Sequence, residues 1–139
     1  MPHISLDYSA NLEPEVDIAA LCDLLRRAAI ETGAFPLAGV RVRAFAASHI
    51  SIADGNPAHG YIDISVRLRA GRSLPVRQAA TAHIFEAARA VLAPVMARRS
   101  LALSLEMRDI DPALSPKTGS IRDHLPGAAT PADPSDQKG

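Results

Sequence analysis

The sequence has little of what disulfide-stabilised, thiolate-metal and membrane proteins depend on. Its 139 residues include a single cysteine, Cys22. One thiol cannot close a disulfide within the chain or build a thiolate zinc site. No apolar run approaches the roughly 20 residues that span a bilayer, and the first residues lack a signal-peptide pattern. We therefore expect a cytoplasmic protein without a membrane segment.

Neither sign of charge dominates the sequence. Lysine plus arginine count 15 and aspartate plus glutamate count 15, so the formal net charge is zero. The basic residues are nearly all arginines and are scattered along the chain, which gives no indication of a nucleic-acid partner. The histidines have no metal-ligand spacing, and no serine elbow or phosphate loop is present, so we expect no metal and no cofactor. The histidines are His3, His49, His59, His83 and His124.

The first half of the chain predicts a strand, a helix and a second strand. Polar and apolar residues alternate over His3–Tyr8, which is the period of a half-buried strand. Asp17 is a suitable N-cap for an amphipathic helix that Gly33 ends. Alternation returns over Val40–Ala46 and predicts a second strand, with the side chain of Arg41 on the face opposite the valines.

The second half predicts the same order after a reverse turn. Ile50–Ile52, the turn residues Ala53–Pro57 and the alternating Tyr61–Leu68 predict a hairpin that leads into a long strand. Ser73 is a suitable N-cap for a long helix with a broad apolar face. Leu101–Met107 alternates again and predicts the last strand, and we expect a short turn after it, around Ile121–Leu125.

This order predicts an α/β (α+β) fold in which one β-α-β unit is used twice. The sheet would have four strands, mainly parallel, with two helices on one face and a hairpin extension. The uncovered face should find a partner, so we expect self-association. Residues 1–125 would form one domain, followed at 126–139 by a disordered tail that has no large apolar residue.

Pro2 is the first candidate catalytic residue in the sequence. Removal of Met1 would leave Pro2 with a secondary amine at the start of a strand. An apolar pocket beside arginines would lower the pKa of that amine toward working pH, as a general base requires. Proline at position two also occurs without any catalytic role, so Pro2 alone is a weak signal.

Two arginines strengthen the case for a site. Arg41 lies on the strand expected beside the first strand, and Arg72 lies just before a helix N-terminus, where free N–H groups favour an anion. Arginine binds carboxylates through two parallel hydrogen bonds. Either residue alone is as readily a solvated surface charge, which is our interpretation of Arg43, Arg67 and Arg69.

Six segments carry a resemblance to a known family. They are Met1–His3, Tyr8–Asn11, Thr32–Arg43, Ala53–Gly55, Gly71–Leu74 and Leu101–Glu106. Together they closely resemble the 5-carboxymethyl-2-hydroxymuconate isomerases of the tautomerase superfamily, from Pro2 to about Leu125. The resemblance implies a homotrimer of doubled β-α-β subunits, with sites near subunit interfaces.

The resemblance also implies a cofactor-free mechanism. A 2-hydroxymuconate dienol would be converted to its conjugated 2-oxo isomer in homoprotocatechuate (4-hydroxyphenylacetate) degradation. Pro2 matches the catalytic proline and would act as base and then acid. Arg41 and Arg72 match the functional arginines, which would hold the carboxylates of a small di- or tricarboxylate and stabilise charge on the 2-oxygen.

Two other functions stay open at this point. Related enzymes with the same N-terminal proline dehalogenate or decarboxylate small unsaturated acids and need a water-activating acid, for which Asp7 and Glu106 are the strand carboxylates to inspect. The predicted architecture also resembles macrophage migration inhibitory factor, so a non-catalytic trimeric ligand-binding module is the second alternative. The presence of Arg41 and Arg72 together with Pro2 favours the isomerase.

Overall fold

The structure, a computed structural model, describes residues 2–127 and consists of a four-stranded mixed sheet and two helices. The elements are β1 (His3–Ser9), α1 (Ile18–Glu31), β2 (Arg41–Ala47), β3 (Gly60–Arg69), α2 (Leu74–Arg98) and β4 (Leu101–Ile110). Short 3-10 helices are Ala10–Leu12, Leu37–Gly39, Pro112–Leu114 and Ile121–His124. The strand order across the sheet is β2-β1-β3-β4.

The predicted doubled β-α-β fold is confirmed. Strands β1 and β2 pair in parallel, as do β3 and β4, and a helix connects the strands of each pair. The two halves join through an antiparallel pairing of β1 with β3. Two of the three pairings are therefore parallel, and the antiparallel one lies at the centre of the sheet.

Both helices begin at the predicted caps. The Asp17 side chain accepts a hydrogen bond from the amide of Ala20 at 3.0 Å, and the Ser73 hydroxyl accepts from the amide of Val76 at 3.4 Å. Each cap satisfies an amide that has no partner within its helix, which stabilises a helix by about 1 kcal/mol. Beyond α1, Gly33 adopts a positive φ of 68°, a conformation that glycine tolerates best. Neither described helix is long and apolar enough to cross a membrane.

The core lies between the helices and one face of the sheet. Helices α1 and α2 pack against each other, α1 contacts β2 and α2 contacts β4. Apart from Ser9, the largest fully buried side chains are apolar, and burial of each large aliphatic one stabilises the fold by roughly 1.5–3 kcal/mol. They include Ile4, Leu6, Leu25, Ile62, Ile64, Ile84 and Leu92. Within the described chain no layer covers the face of the sheet opposite the helices. This agrees with the prediction that both helices lie on one side.

The predicted hairpin extension is wrong. Ile50–Ile52 forms no strand, and residues 48–59 form a loop with turns. Within it, the Asp54 side chain accepts from the amide of Asn56 at 3.0 Å, and Asn56 in turn accepts from the amide two residues on at 2.9 Å. His59 adds a contact to Asp54 at 2.7 Å. These local side-chain bonds satisfy backbone groups that a strand ladder would otherwise use, and they favour turns.

The predictions for the end of the chain are confirmed in part. The short turn predicted near Ile121 is present as the 3-10 helix Ile121–His124. Met1 and residues 128–139 lie outside the described residues. The removal of Met1 and the disordered tail at 126–139 therefore stay predictions.

Candidate active site

Pro2 lies at the buried start of β1. Its side chain is fully buried, and its carbonyl oxygen accepts a hydrogen bond from the backbone amide of Arg41 at 3.3 Å. The next pair along the two strands is His3 with Arg41. The parallel pairing of β1 with β2 therefore fixes the backbone of Arg41 beside Pro2, as the sequence predicted for the strands, while the Arg41 side chain is exposed on the face of His3.

Three connections of the chain converge at this end of the sheet. Strands β1 and β2 begin here, while β3 and β4 end here, with Arg69 paired to Ile110. The loop from α1 into β2, the loop from β3 into α2, and the segment after β4 all start or finish at this end. We call this end of the sheet the Pro2 end.

Arg72 joins two of these connections. Its Nε donates to the carbonyl oxygen of Ala34 at 2.7 Å, and its Nη1 donates to the carbonyl oxygen of Arg69 at 3.2 Å. The guanidinium also lies over the ring of Phe35, 5.6 Å from its centroid. Gly71, with a φ of 128°, supplies the turn that directs the chain into this position. Two segments that were singled out separately in the sequence, Thr32–Arg43 and Gly71–Leu74, are thus held together by one half-buried cation.

The Pro2 end gathers more positive charge than the sequence predicted. Lys117 is half-buried; burial lowers its pKa, and the charges of Arg69, Arg122, Arg41 and Arg72 act in the same direction. Arg69 is itself half-buried, so its interpretation as a solvated surface charge is wrong. The reason is the antiparallel β1–β3 pairing, which brings the end of β3 to the start of β1.

The pKa of His3 is lowered by positive charges at the same end of the sheet. Burial, followed by the charges of Arg41, Arg67 and Arg43, lowers the pKa of His3 to about 4. At neutral pH the ring is therefore neutral, and because a guanidinium can only donate, Nδ1 of His3 accepts from Nη1 of Arg43 at 3.3 Å. Arg43 is consequently half-buried rather than solvated, whereas Arg67 is exposed as interpreted. A neutral histidine adds no further positive charge to the Pro2 end.

Comparison with known proteins decides the family. A sequence model of the family described as 5-carboxymethyl-2-hydroxymuconate isomerase matches residues 2–125. The chain belongs to this family. An Escherichia coli protein named 5-carboxymethyl-2-hydroxymuconate Delta-isomerase is 34% identical over 121 residues, which cover 87% of this chain and 96% of that protein. The resemblance predicted from the sequence is confirmed, and the chain is an isomerase.

Solved structures of similarly named proteins have the same fold. A crystal structure of a 5-carboxymethyl-2-hydroxymuconate delta-isomerase gives a TM-score of 0.83 at 32% identity, covering 89% of this chain and 92% of that one. An isomerase from Deinococcus radiodurans R1 gives 0.81 at 30% identity, covering 86% and 90%. A fused 4-OT protein, described as an asymmetric trimer, is 20% identical with a TM-score of 0.61 over 80% and 88% of the chains, a likeness of fold alone.

The two strand carboxylates of the isomerase are bound elsewhere than at Pro2. Asp7 lies four positions along β1 from His3, about 13 Å away, and accepts a hydrogen bond from the hydroxyl of Tyr61 at 2.6 Å. This bond, together with burial, raises the pKa of Tyr61 to about 12. Glu106 pairs with Arg108 at 3.3 Å and is well exposed. Neither contact gives the dehalogenase alternative a water-activating acid beside the proline.

A pocket of about 260 Å³ lies at the opposite end of the isomerase. It lies beside the last residues of β2 and is lined by ten residues, none of them charged. They are Ala10, Asn11, Ala47, Ser48, Ile50, Ser51, Ile52, Gly55, Asn56 and Pro57. A di- or tricarboxylate would leave its hydration there without gaining a cation, so the Pro2 end is the better candidate site.

Proposed function

We propose that this isomerase converts 5-carboxymethyl-2-hydroxymuconate to its conjugated 2-oxo isomer in homoprotocatechuate degradation, with Pro2 as the base. The observation that carries the proposal is the position of Pro2, buried and hydrogen-bonded beside Arg41 at the end of the sheet that also gathers Arg72. The name of the Escherichia coli relative supports the same substrate. A substrate with three carboxylates is attracted by an end of the molecule that is rich in cations.

The reaction is a proton shift that needs no oxidant or reductant. Once Met1 is removed, the neutral Pro2 amine takes the proton from the 2-hydroxyl group of the dienol. The electron pair of that O–H bond forms the 2-oxo group, the double bonds move by one position, and carbon five takes a proton back from the Pro2 ammonium. Burial and the neighbouring cations both disfavour a positive charge on Pro2, which keeps the resting amine neutral.

The arginines hold the substrate and stabilise the oxygen that becomes negative. Arg72 is pre-positioned, because two backbone carbonyls and the Phe35 ring fix its guanidinium before any ligand arrives. Donors fixed in this way need no reorganisation during the reaction, which is the source of their effect on rate. Arg41 is fixed through its own backbone, beside Pro2.

The experiment is ultraviolet-monitored conversion of 5-carboxymethyl-2-hydroxymuconate by protein whose mass shows that Met1 is absent. Wild-type protein should react well above the spontaneous rate, and Pro2→Ala, Arg41→Ala and Arg72→Ala should each lose most of this activity. Arg26→Ala, on the exposed side of α1, is the control and should keep it. A wild-type rate equal to the spontaneous one, in folded and processed protein, would refute the proposal.

We also propose that the chain assembles as a cytoplasmic homotrimer through the open face of the sheet. On this face Phe45 of β2 is 59% exposed and lies beside Asp7 of β1. An aromatic side chain this exposed is unusual on a surface that remains in contact with solvent. Light scattering should give about three times the 14.7 kDa of one chain. Phe45→Glu should shift the mass toward one chain; a wild-type monomer would contradict the proposal.

A further inference from the structure

Lys117 reaches the Pro2 end through a segment that carries no regular pattern in the sequence. The last residue of β4, Ile110, accepts a hydrogen bond from the amide of Ala70 at 3.1 Å, so the chain leaves β4 beside the β3–α2 connection. It then forms the 3-10 helix Pro112–Leu114, and Lys117 follows three residues later, half-buried. Lys117 lies within range of the charge of Arg72, which acts on it together with the charges of Arg69 and Arg41.

Four of the cations at the Pro2 end form no ion pair with a carboxylate among the described residues. Every ion pair found within residues 2–127 involves other basic residues, and none includes Lys117, Arg69, Arg41 or Arg72. A half-buried lysine is normally stabilised by an acidic partner, because burial disfavours its charge.

The two acidic residues that precede Lys117 at the end of β4 are already bound. Asp109 pairs with Arg77 of α2 at 3.6 Å, and the Asp111 side chain accepts from the amide of Ala113 at 2.9 Å as the cap of the 3-10 helix. Both carboxylates therefore serve the fold around this segment. The charges that act most strongly on Lys117 are all those of arginines, so we look for its anion outside the described chain.

The number of charges indicates which anion this is. The substrate of the proposed function carries three carboxylates, and the resemblance assigns only Arg41 and Arg72 to it. Two arginines cannot pair with three carboxylates, and they also stabilise the 2-oxygen. At least one carboxylate of the substrate therefore has no cation assigned to it. Lys117 and Arg69 supply the missing positive charge at the same end of the molecule.

We propose that Lys117, supported by Arg69, binds a substrate carboxylate remote from the 2-oxygen, and so sets the preference for a tricarboxylate over a dicarboxylate. The proposal rests on the proposed function. Lysine suits this role because its ammonium is a compact charge that attracts a carboxylate without requiring planar alignment. Lys117 would act mainly on binding, because it contacts a group whose charge does not change in the reaction.

The experiment compares Lys117→Met, which keeps most of the apolar stem, with wild-type protein and with Arg26→Gln as control. The two substrates are the tricarboxylate dienol and 2-hydroxymuconate, which lacks the carboxymethyl arm. For Lys117→Met we expect KM for the tricarboxylate to rise at least about tenfold, kcat to stay within about threefold, and KM for the dicarboxylate to change less than about twofold. An unchanged KM for the tricarboxylate, or an equal rise for both substrates, would overturn the inference.

Calorimetry with unreactive propane-1,2,3-tricarboxylate gives a readout that does not depend on turnover. We expect Lys117→Met to bind it about tenfold more weakly than wild type, with glutarate binding unchanged as the dicarboxylate control. Equal binding of propane-1,2,3-tricarboxylate by both proteins would overturn the inference. If wild-type protein turned over neither dienol, the proposed function would fail, and calorimetry alone would decide whether Lys117 is a tricarboxylate-binding residue.

Discussion

Replacement of Arg72 tests whether its fixed position matters as much as its charge. In Arg72→Met two hydrogen bonds to backbone carbonyls are lost, together with the contact over Phe35. Each bond contributes about 1 kcal/mol at this half-exposed site, and the ring contact about 0.5–1 kcal/mol. We therefore expect the free energy of unfolding in urea to fall by about 2–3 kcal/mol. Loss of a pre-positioned donor should also lower kcat/KM about 10²–10³-fold.

Arg72→Lys separates the two effects. The lysine keeps the charge, but a single ammonium cannot bind Ala34, Arg69 and a substrate carboxylate with the planar geometry of a guanidinium. We expect kcat/KM to fall at least about tenfold although the charge is conserved. Arg98→Met is the matched control, since Arg98 also donates to a backbone carbonyl, that of Pro94 at 3.2 Å, but at the far end of α2. Wild-type kcat/KM in Arg72→Lys would refute the account of this residue.

Three further changes test the fold, one of them at the Pro2 end. His3→Asn should flatten the pH dependence of stability between about pH 6.5 and 4, because an unfolded histidine binds a proton there while buried His3, with its pKa lowered to about 4, does not. Wild type should lose about 1–2 kcal/mol over this window after solvent screening is allowed for. Gly60→Ala should cost about 1–3 kcal/mol, since its Cβ would lie 2.9 Å from Leu12 and 3.0 Å from Ser9. Asp17→Ala removes the cap of α1 and should cost about 1 kcal/mol.

Each of these changes has a clear contradicting result in urea titrations. A His3→Asn variant whose stability falls from pH 6.5 to 4 as steeply as that of wild type would show that the histidine is protonated in the folded chain. Full stability of Gly60→Ala would mean that the start of β3 has more room than the structure gives it. Wild-type stability of Asp17→Ala would show that this cap does not stabilise α1.

The parts of the fold with a strong local signal were predicted well. The alternation over His3–Tyr8 corresponds to β1, and Asp17 and Ser73 cap the two helices. These features depend on residues that are near one another in the sequence, so a local pattern contains the necessary information. The face on which Arg41 lies follows from the same two-residue period.

Of the features that the sequence did not predict, one depends on local hydrogen bonds and the others on where distant segments of the chain meet. Ile50–Ile52 has the alternation of a strand, but hydrogen bonds of Asp54 and Asn56 favour turns instead. The antiparallel pairing of β1 with β3 has no local signature, and it brings Arg69 to the Pro2 end. Lys117 follows β4 in a stretch without periodicity, so nothing near it in the sequence indicates where it lies.

The most direct test of the account compares one protein before and after its N-terminus is freed. The protein would be prepared with a removable extension joined to Pro2, which makes the proline nitrogen an amide, and the same sample would then be cleaved to expose the amine. Both forms keep Arg41, Arg72 and the fold, as circular dichroism and light scattering would verify. We predict conversion of 5-carboxymethyl-2-hydroxymuconate at the spontaneous rate before cleavage and strong turnover after it. Equal turnover by the blocked and the freed protein would contradict the central claim that the Pro2 amine is the base.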